Sequence, residues 1–146
     1  MNGFWGNNKS VLDAKGRINI PAKVRKNILP EDANTMIMIR GKGRFIRLYP
    51  YSSWTGFIAS IKEKLGIGEK YRRYSRHLMR DSSEQILDKQ GRLNLPTGLI
   101  DYAQLDGEVL IVGCEDWLEV WNPQNYLNYT DSNQSEIEEI EQELDL

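Results

Sequence analysis

The chain contains the same segment twice, and this limits the folds open to it more than any single motif does. Residues 10–21 align without a gap to residues 85–96, an offset of 75. Leu12/Leu87, Asp13/Asp88, Gly16/Gly91, Arg17/Arg92, Asn19/Asn94 and Pro21/Pro96 are identical, and Val11/Ile86, Ile18/Leu93 and Ile20/Leu95 stay apolar. A second block, 36–50, matches 109–123 at an offset of 73. Identity there is poor, but both read as an apolar strand, a short turn, a second strand and a closing proline.

Each copy therefore reads as ββαββα. In the first, 11–12 and 18–20 are short strands joined by 13–16. Gly16, like Gly91 in the second copy, can supply the positive φ of the turn, and Asp13 and Asp88 can accept from the turn's own amides. Alternation sets Ile18 and Ile20 on one face and Arg17 and Asn19 on the other. Pro21 suits the first turn of a helix over 22–28, which Pro30 stops. A second hairpin spans 36–40 and 44–49. Pro50 then opens a helix to about Leu65, with Trp54, Ile58, Ile61 and Leu65 on one stripe. The second copy repeats this with strands near 85–87, 93–95, 109–113 and 117–121, a short helix after Pro96 and a helix from Pro123. The predicted organisation is a first unit at 7–53, connecting helices at 54–82, a second unit at 83–126 and an acidic tail at 127–146. One unit alone exposes edge strands and cannot bury its own face. The two are therefore expected to close on each other as a small barrel with short flanking helices, an α+β, β-rich fold.

Charge is divided along the chain. Residues 1–80 carry 17 Lys and Arg against five acids, a net of +12; residues 81–146 carry two bases against 16 acids, a net of −14. Such asymmetry suggests that one half faces a polyanion, or that the basic half of one subunit packs on the acidic half of another. The segment 69–80, as a helix, sets Tyr71, Tyr74 and Leu78 on one side and Arg72, Arg76 and Arg80 on the other, either a solvated linker face or one that tracks phosphates. The tail has only Ile137, Ile140 and Leu144 at helical spacing, and reads as a marginal helix on a neighbour or as disordered.

The repeated Asp-x-x-Gly-Arg-(apolar)-x-(apolar)-Pro pattern resembles the swapped-hairpin signature of AbrB-type DNA-binding units. Two copies in a chain of this length, with Phe4-Trp5-Gly6 near the start, Leu48-Tyr49-Pro50 followed by Trp54, and an Arg-Arg segment before the second motif, resemble the MraZ family of bacterial cell-division and cell-wall cluster regulators. The resemblance covers residues 4 to about 127. It implies a barrel of two AbrB-type units that assembles into a homo-oligomeric ring. It further implies binding to tandem repeats in the promoter DNA of the protein's own gene cluster, usually as a repressor, in the nucleoid. The first-copy arginine carries DNA binding in that family, which points to Arg17.

Arg17 follows a turn, so its planar fork can project from a rigid loop toward guanine or phosphate. Lys15, Lys9, Lys23 and Arg25 are expected nearby as phosphate contacts. A fold-level role competes for the repeated pair, with Asp13–Arg17 and Asp88–Arg92 bracing each turn. Arg92 sits in an acidic copy from which DNA should be repelled. Asp13, Gly16, Asp88, Gly91 and Arg92 are accordingly read as structural.

Other classes find less support. Asp13 and Asp88 superficially suggest paired catalytic carboxylates, but the bases around them would keep both ionised. One His and one Cys offer no nucleophile–base pair or metal cluster, so no enzyme, metal, cofactor or small-molecule substrate is expected. Cys114 reads as a buried small apolar residue. The acid-rich tail leaves an AbrB-like antitoxin or protein-interaction adaptor as the alternative. The N-terminus lacks the features of a signal peptide and no stretch is long enough to span a bilayer, so a cytoplasmic protein without a membrane partner is expected.

Overall fold

The computed structural model describes residues 3–146. The first copy contributes β1 (Asn7–Val11), β2 (Arg17–Asn19), α1 (Ala22–Arg25), a 3-10 turn (Pro30–Asp32), β3 (Thr35–Gly41), β4 (Phe45–Pro50) and α2 (Tyr51–Leu65). Helix α3 (Glu69–Leu78) connects it to β5 (Ser83–Ile86), β6 (Arg92–Asn94), α4 (Thr97–Tyr102), β7 (Glu108–Gly113), β8 (Leu118–Trp121) and α5 (Pro123–Ser132). The tail forms a further helix, α6 (Gln134–Leu144).

The strands form an antiparallel six-stranded sheet in the order β1-β7-β8-β4-β3-β5 and a two-stranded ribbon, β2-β6. Neither copy pairs its own first two strands. Strand β1 lies against β7 of the second copy and β5 against β3 of the first, while β2 and β6 pair with each other. The expected turn at 13–16 is therefore a corner where the chain leaves one ladder and joins another. The ribbon register is reciprocal: Arg17 faces Asn94, Ile18 faces Leu93, and Asn19 faces Arg92. Ile20 N–H donates to Gly91 O at 2.8 Å, and its repeat counterpart Leu95 N–H donates to Gly16 O at 2.9 Å. These paired contacts place an approximate twofold axis through the Ile18–Leu93 pair. The result is the α+β, β-rich interlock of two ββαββα units. The expected closure into one barrel is replaced by two ladders packed on each other, and β1 and β5 remain sheet edges.

Burial follows from that arrangement. One sheet face, with Met36, Met38, Ile46, Leu48, Val109, Ile111, Leu118 and Val120, packs with Ile18, Ile20, Leu93 and Leu95 of the ribbon in the main core. The opposite face carries Ile37, Ile39 and Tyr49 under Trp54, Phe57, Ile58 and Ile61 of α2 and Leu78 of α3. Farther along, Phe45, Val112 and Trp121 pack with Tyr126 of α5. Burial on both faces explains why 36–39 is a continuous apolar run instead of an alternating one.

Helix α1 ends at Arg25 and not at residue 28, because i→i−3 bonds from Asn27 and Ile28 tighten the chain and carry Val24 and Ile28 into the core. Asp32, only 5% exposed, accepts from Ser52 N at 2.8 Å and Ser52 Oγ at 2.7 Å, supplying a carboxylate to the first turn of α2. Among the described residues no helix is long and apolar enough to cross a membrane.

Candidate nucleic-acid interface

The two corners are built alike, bond for bond. At the first, Asp13 Oδ1 accepts from the Lys15 and Arg17 amides, each at 2.9 Å, and Oδ2 accepts from Arg17 Nε at 2.8 Å. At the second, Asp88 Oδ1 accepts from the Gln90 and Arg92 amides, each at 2.9 Å, and Oδ2 from Arg92 Nε at 2.7 Å. The arginine amide is the main reason that each carboxyl lies below its ordinary pKa, with the guanidinium and the second amide adding to it. Gly16 and Gly91 adopt φ of 78° and 80°, which the corner requires and a side chain rarely adopts.

Tethering through Nε fixes each guanidinium plane and leaves its two terminal nitrogens unbonded among the described residues. The ribbon's β alternation directs Ile18 and Leu93 inward and Arg17, Asn19, Arg92 and Asn94 outward. Two cross-strand Arg/Asn pairs thus share one face of a two-stranded antiparallel ribbon, an element of the size that a DNA major groove admits. Asn19 Nδ2 donates to Gln90 O at 2.9 Å, tying the first strand to the second corner. No role follows for Asn19 or Asn94 from one copy's chemistry alone; their identity in both copies was the available signal.

The other expected contacts separate. Lys15 is exposed at the tip of the first corner, and Lys9 is exposed on β1. Arg25 is not beside the first corner: its Nη1 donates to Ile20 O and to Gln90 O, both at 3.1 Å. It lies so tightly over Gly91 that a Cβ there would stand 1.4 Å from Nη1. Lys23, on the same short helix, lines a groove of about 480 Å³ with Lys26, Asn27 and the exposed Trp5. Exchange of strands between the copies accounts for the position of Arg25, because the chain leaving β2 passes to the second corner.

The same exchange brings a first-copy cation to the corner that holds Arg92. Arg25 of the first copy borders that corner, whereas Leu12 N–H donates to Gly107 O and Val11 faces Glu108, bringing one exposed second-copy acid to the foot of the first corner. Ile100, which occupies the position of Arg25 in the repeat, rests its Cδ1 3.4 Å from where a Gly16 Cβ would stand. Sequence halves of opposite charge are interleaved in space.

Cys114 is half-buried and burial pushes its thiol up to about 12, so it stays protonated near neutrality. Among the described residues no group of three or more His, Cys, Asp or Glu could hold a metal ion.

A family model described as "MraZ protein, putative antitoxin-like" matches the chain twice, over residues 4–75 and 78–146, one match to each copy. The chain is 34% identical over 141 residues to the protein named transcriptional regulator MraZ of Natranaerobius thermophilus, covering 97% of this chain and 96% of that one. The protein of the same name from Cytophaga hutchinsonii is 30% identical, covering 96% of this chain and 93% of that one. Its namesake from Lactobacillus delbrueckii subsp. bulgaricus is 34% identical, over 97% and 96%.

Proposed function

Because the chain belongs to the MraZ family, we propose that it is a DNA-binding transcriptional regulator that reads duplex promoter DNA with the outer face of the β2–β6 ribbon. The observation that carries this reading is the quartet Arg17, Asn94, Asn19 and Arg92 on that face, with both arginine forks pre-oriented by their own aspartates. Arginine pairs with the guanine edge and asparagine with the adenine edge of a major groove. A fork already fixed in place loses little further freedom on binding. Arg17 is the leading contact, Arg92 its twofold counterpart, and Lys15 and Lys9 add phosphate contacts.

One ribbon makes few phosphate contacts, and those are screened by salt. A homo-oligomeric ring would present several ribbons to tandem repeats and multiply affinity through effective concentration. We place the protein in the cytoplasm, at the nucleoid, as a repressor of its own cell-division and cell-wall gene cluster. The description of the family model as antitoxin-like favours a second reading, in which a protein partner takes the exposed acidic helix α6.

Fluorescence anisotropy with a duplex carrying the promoter repeats, titrated across salt, tests the first reading. Wild-type affinity should fall steeply as salt rises, with a slope of about −0.9 per phosphate neutralised. Arg17→Ala should bind at least about tenfold more weakly. Salt-independent binding, or an unchanged Arg17→Ala, refutes it.

A further inference from the structure

Two features of the surface are only partly matched among the described residues. Helix α6 packs beside α5, with Ile137, Ile140 and Leu144 exposed at 45%, 39% and 62%. Residues 134–146 hold six acids and no base. At 100° per residue the three apolar side chains form one stripe, with Glu136 and Glu141 on either side of it. Such a helix is marginal alone in water and is expected to bury that stripe.

The complementary surface lies on α3. Residues 69–80 carry Lys70, Arg72, Arg73, Arg76 and Arg80 against the single acid Glu69. That one carboxylate is shared by Arg72, Arg73 and Arg76 at 3.3, 3.6 and 3.6 Å, and all three arginines are more than half exposed. Beside α3 opens a cavity of about 550 Å³ lined by Arg40, Lys42, Arg47, His77, Tyr74 and Phe57, with an apolar floor that includes Ile39 and Leu78. Arg47 keeps a buried Nε without a hydrogen-bond partner among the described residues. Glu119, which faces Arg47 across β4–β8, instead accepts from the Trp117 and Trp121 indoles at 3.1 and 2.9 Å. Aromatic and aliphatic side chains set among cations fit an acidic amphipathic helix. The sugar–phosphate backbone of DNA has no use for the apolar floor.

We propose that α6 of one molecule docks on α3 and its adjoining cavity in a second copy of this chain, so that the acidic tail is the connector of a head-to-tail assembly. This rests on the self-assembly put forward above and assigns its contact. Sedimentation velocity on the full-length chain tests it with two charge-reversed proteins, Arg72→Glu/Arg73→Glu/Arg76→Glu and Glu136→Lys/Glu141→Lys/Glu143→Lys. Wild type should sediment as an oligomer that loosens with salt. Each reversed protein alone should fall to the monomer's sedimentation coefficient, and an equimolar mixture should recover the oligomer, since each then offers the surface the other needs. Ile137→Asp/Ile140→Asp should also be monomeric, with no complement to rescue it.

An oligomeric wild type whose reversed variants keep its mass overturns the assigned contact and leaves self-assembly standing. A wild type that is monomeric at every salt concentration overturns both. An α3 reversal that lowers DNA affinity while the mass stays unchanged shows α3 to be a phosphate surface, and the proposal falls.

Discussion

The corner at Asp13–Arg17 and the corner at Asp88–Arg92 have matching bonds, yet each is bordered by residues from the other copy. In sequence the flanks oppose one another: Lys9, Lys23, Arg25 and Lys26 of the first copy correspond to Glu84, Gly98, Ile100 and Asp101 of the second. In space, Arg25 sits over Gly91 and Ile100 over Gly16, while the second copy's Gly107 and Glu108 meet the first copy's β1 and its corner. Strand exchange thus mixes the two charge populations around the pseudo-twofold axis. A duplicated chain can diverge strongly in charge and still present two comparable corners.

The largest effects should come from the axis itself, where the copies are equivalent. Ile18 and Leu93 are fully buried and face each other across the ribbon. Ile18→Ala and Leu93→Ala should each cost about 2–5 kcal/mol, and thermal unfolding followed by circular dichroism should lose both copies in one transition. Two separate transitions would mean that the copies are independent beads.

Arg17→Ala and Arg92→Ala sharpen the comparison on the functional side. Were the charge of the sequence halves decisive, only Arg17 would matter. The interleaved arrangement predicts that both variants weaken DNA binding, each by about 1–3 kcal/mol, with Arg17 the larger. Anisotropy titrations at one fixed salt concentration decide this. An Arg92→Ala protein with wild-type affinity would restore the asymmetric view.

Arg25→Ile should matter less. It gives the second corner the side chain that already serves the first through Ile100, while removing a cation that borders Gly91. We expect a shift of up to about 1 kcal/mol in stability, as for exchange of a single hydrogen-bonded surface side chain. DNA affinity should fall by less than for either corner arginine. A loss equal to that of Arg17→Ala would move Arg25 into the reading face itself.

Most of the secondary structure was legible because it is local. Proline and glycine positions bounded the helices and corners, and apolar runs marked β3, β4, β7 and β8. The strand exchange was not legible in alternation or turn chemistry, since 13–16 closes identically whether its strands pair with each other or with another copy; it entered only through the resemblance to swapped hairpins. For the same reason the sequence did not show that Arg25 lies against the second corner, whereas Arg17 and Lys15 sit in the first. The latter two belong to the corner itself, and the place of the former depends on where the chain goes next. Asp32 gave no sign of its buried bonds to Ser52, which depend on a contact 20 residues away.

The smallest predicted effect lies in acid, where the corners should again behave alike. In the folded protein Asp13 and Asp88 are held below the ordinary carboxyl value of 3.8 by hydrogen bonds that unfolding removes. The unfolded chain therefore binds protons at these two sites more readily than the folded one, and stability rises with pH through that range. Their contribution is complete above the unfolded value and disappears as pH falls through the lower folded values. Wild type should thus lose melting temperature more steeply below about pH 4 than Asp13→Asn or Asp88→Asn, each of which removes one titrating group. The two single variants should give parallel curves, because the bonds they lose are the same. A steeper dependence at one corner would mean that its aspartate faces charges its counterpart does not, and that the bordering residues, mixed as they are, still distinguish the copies.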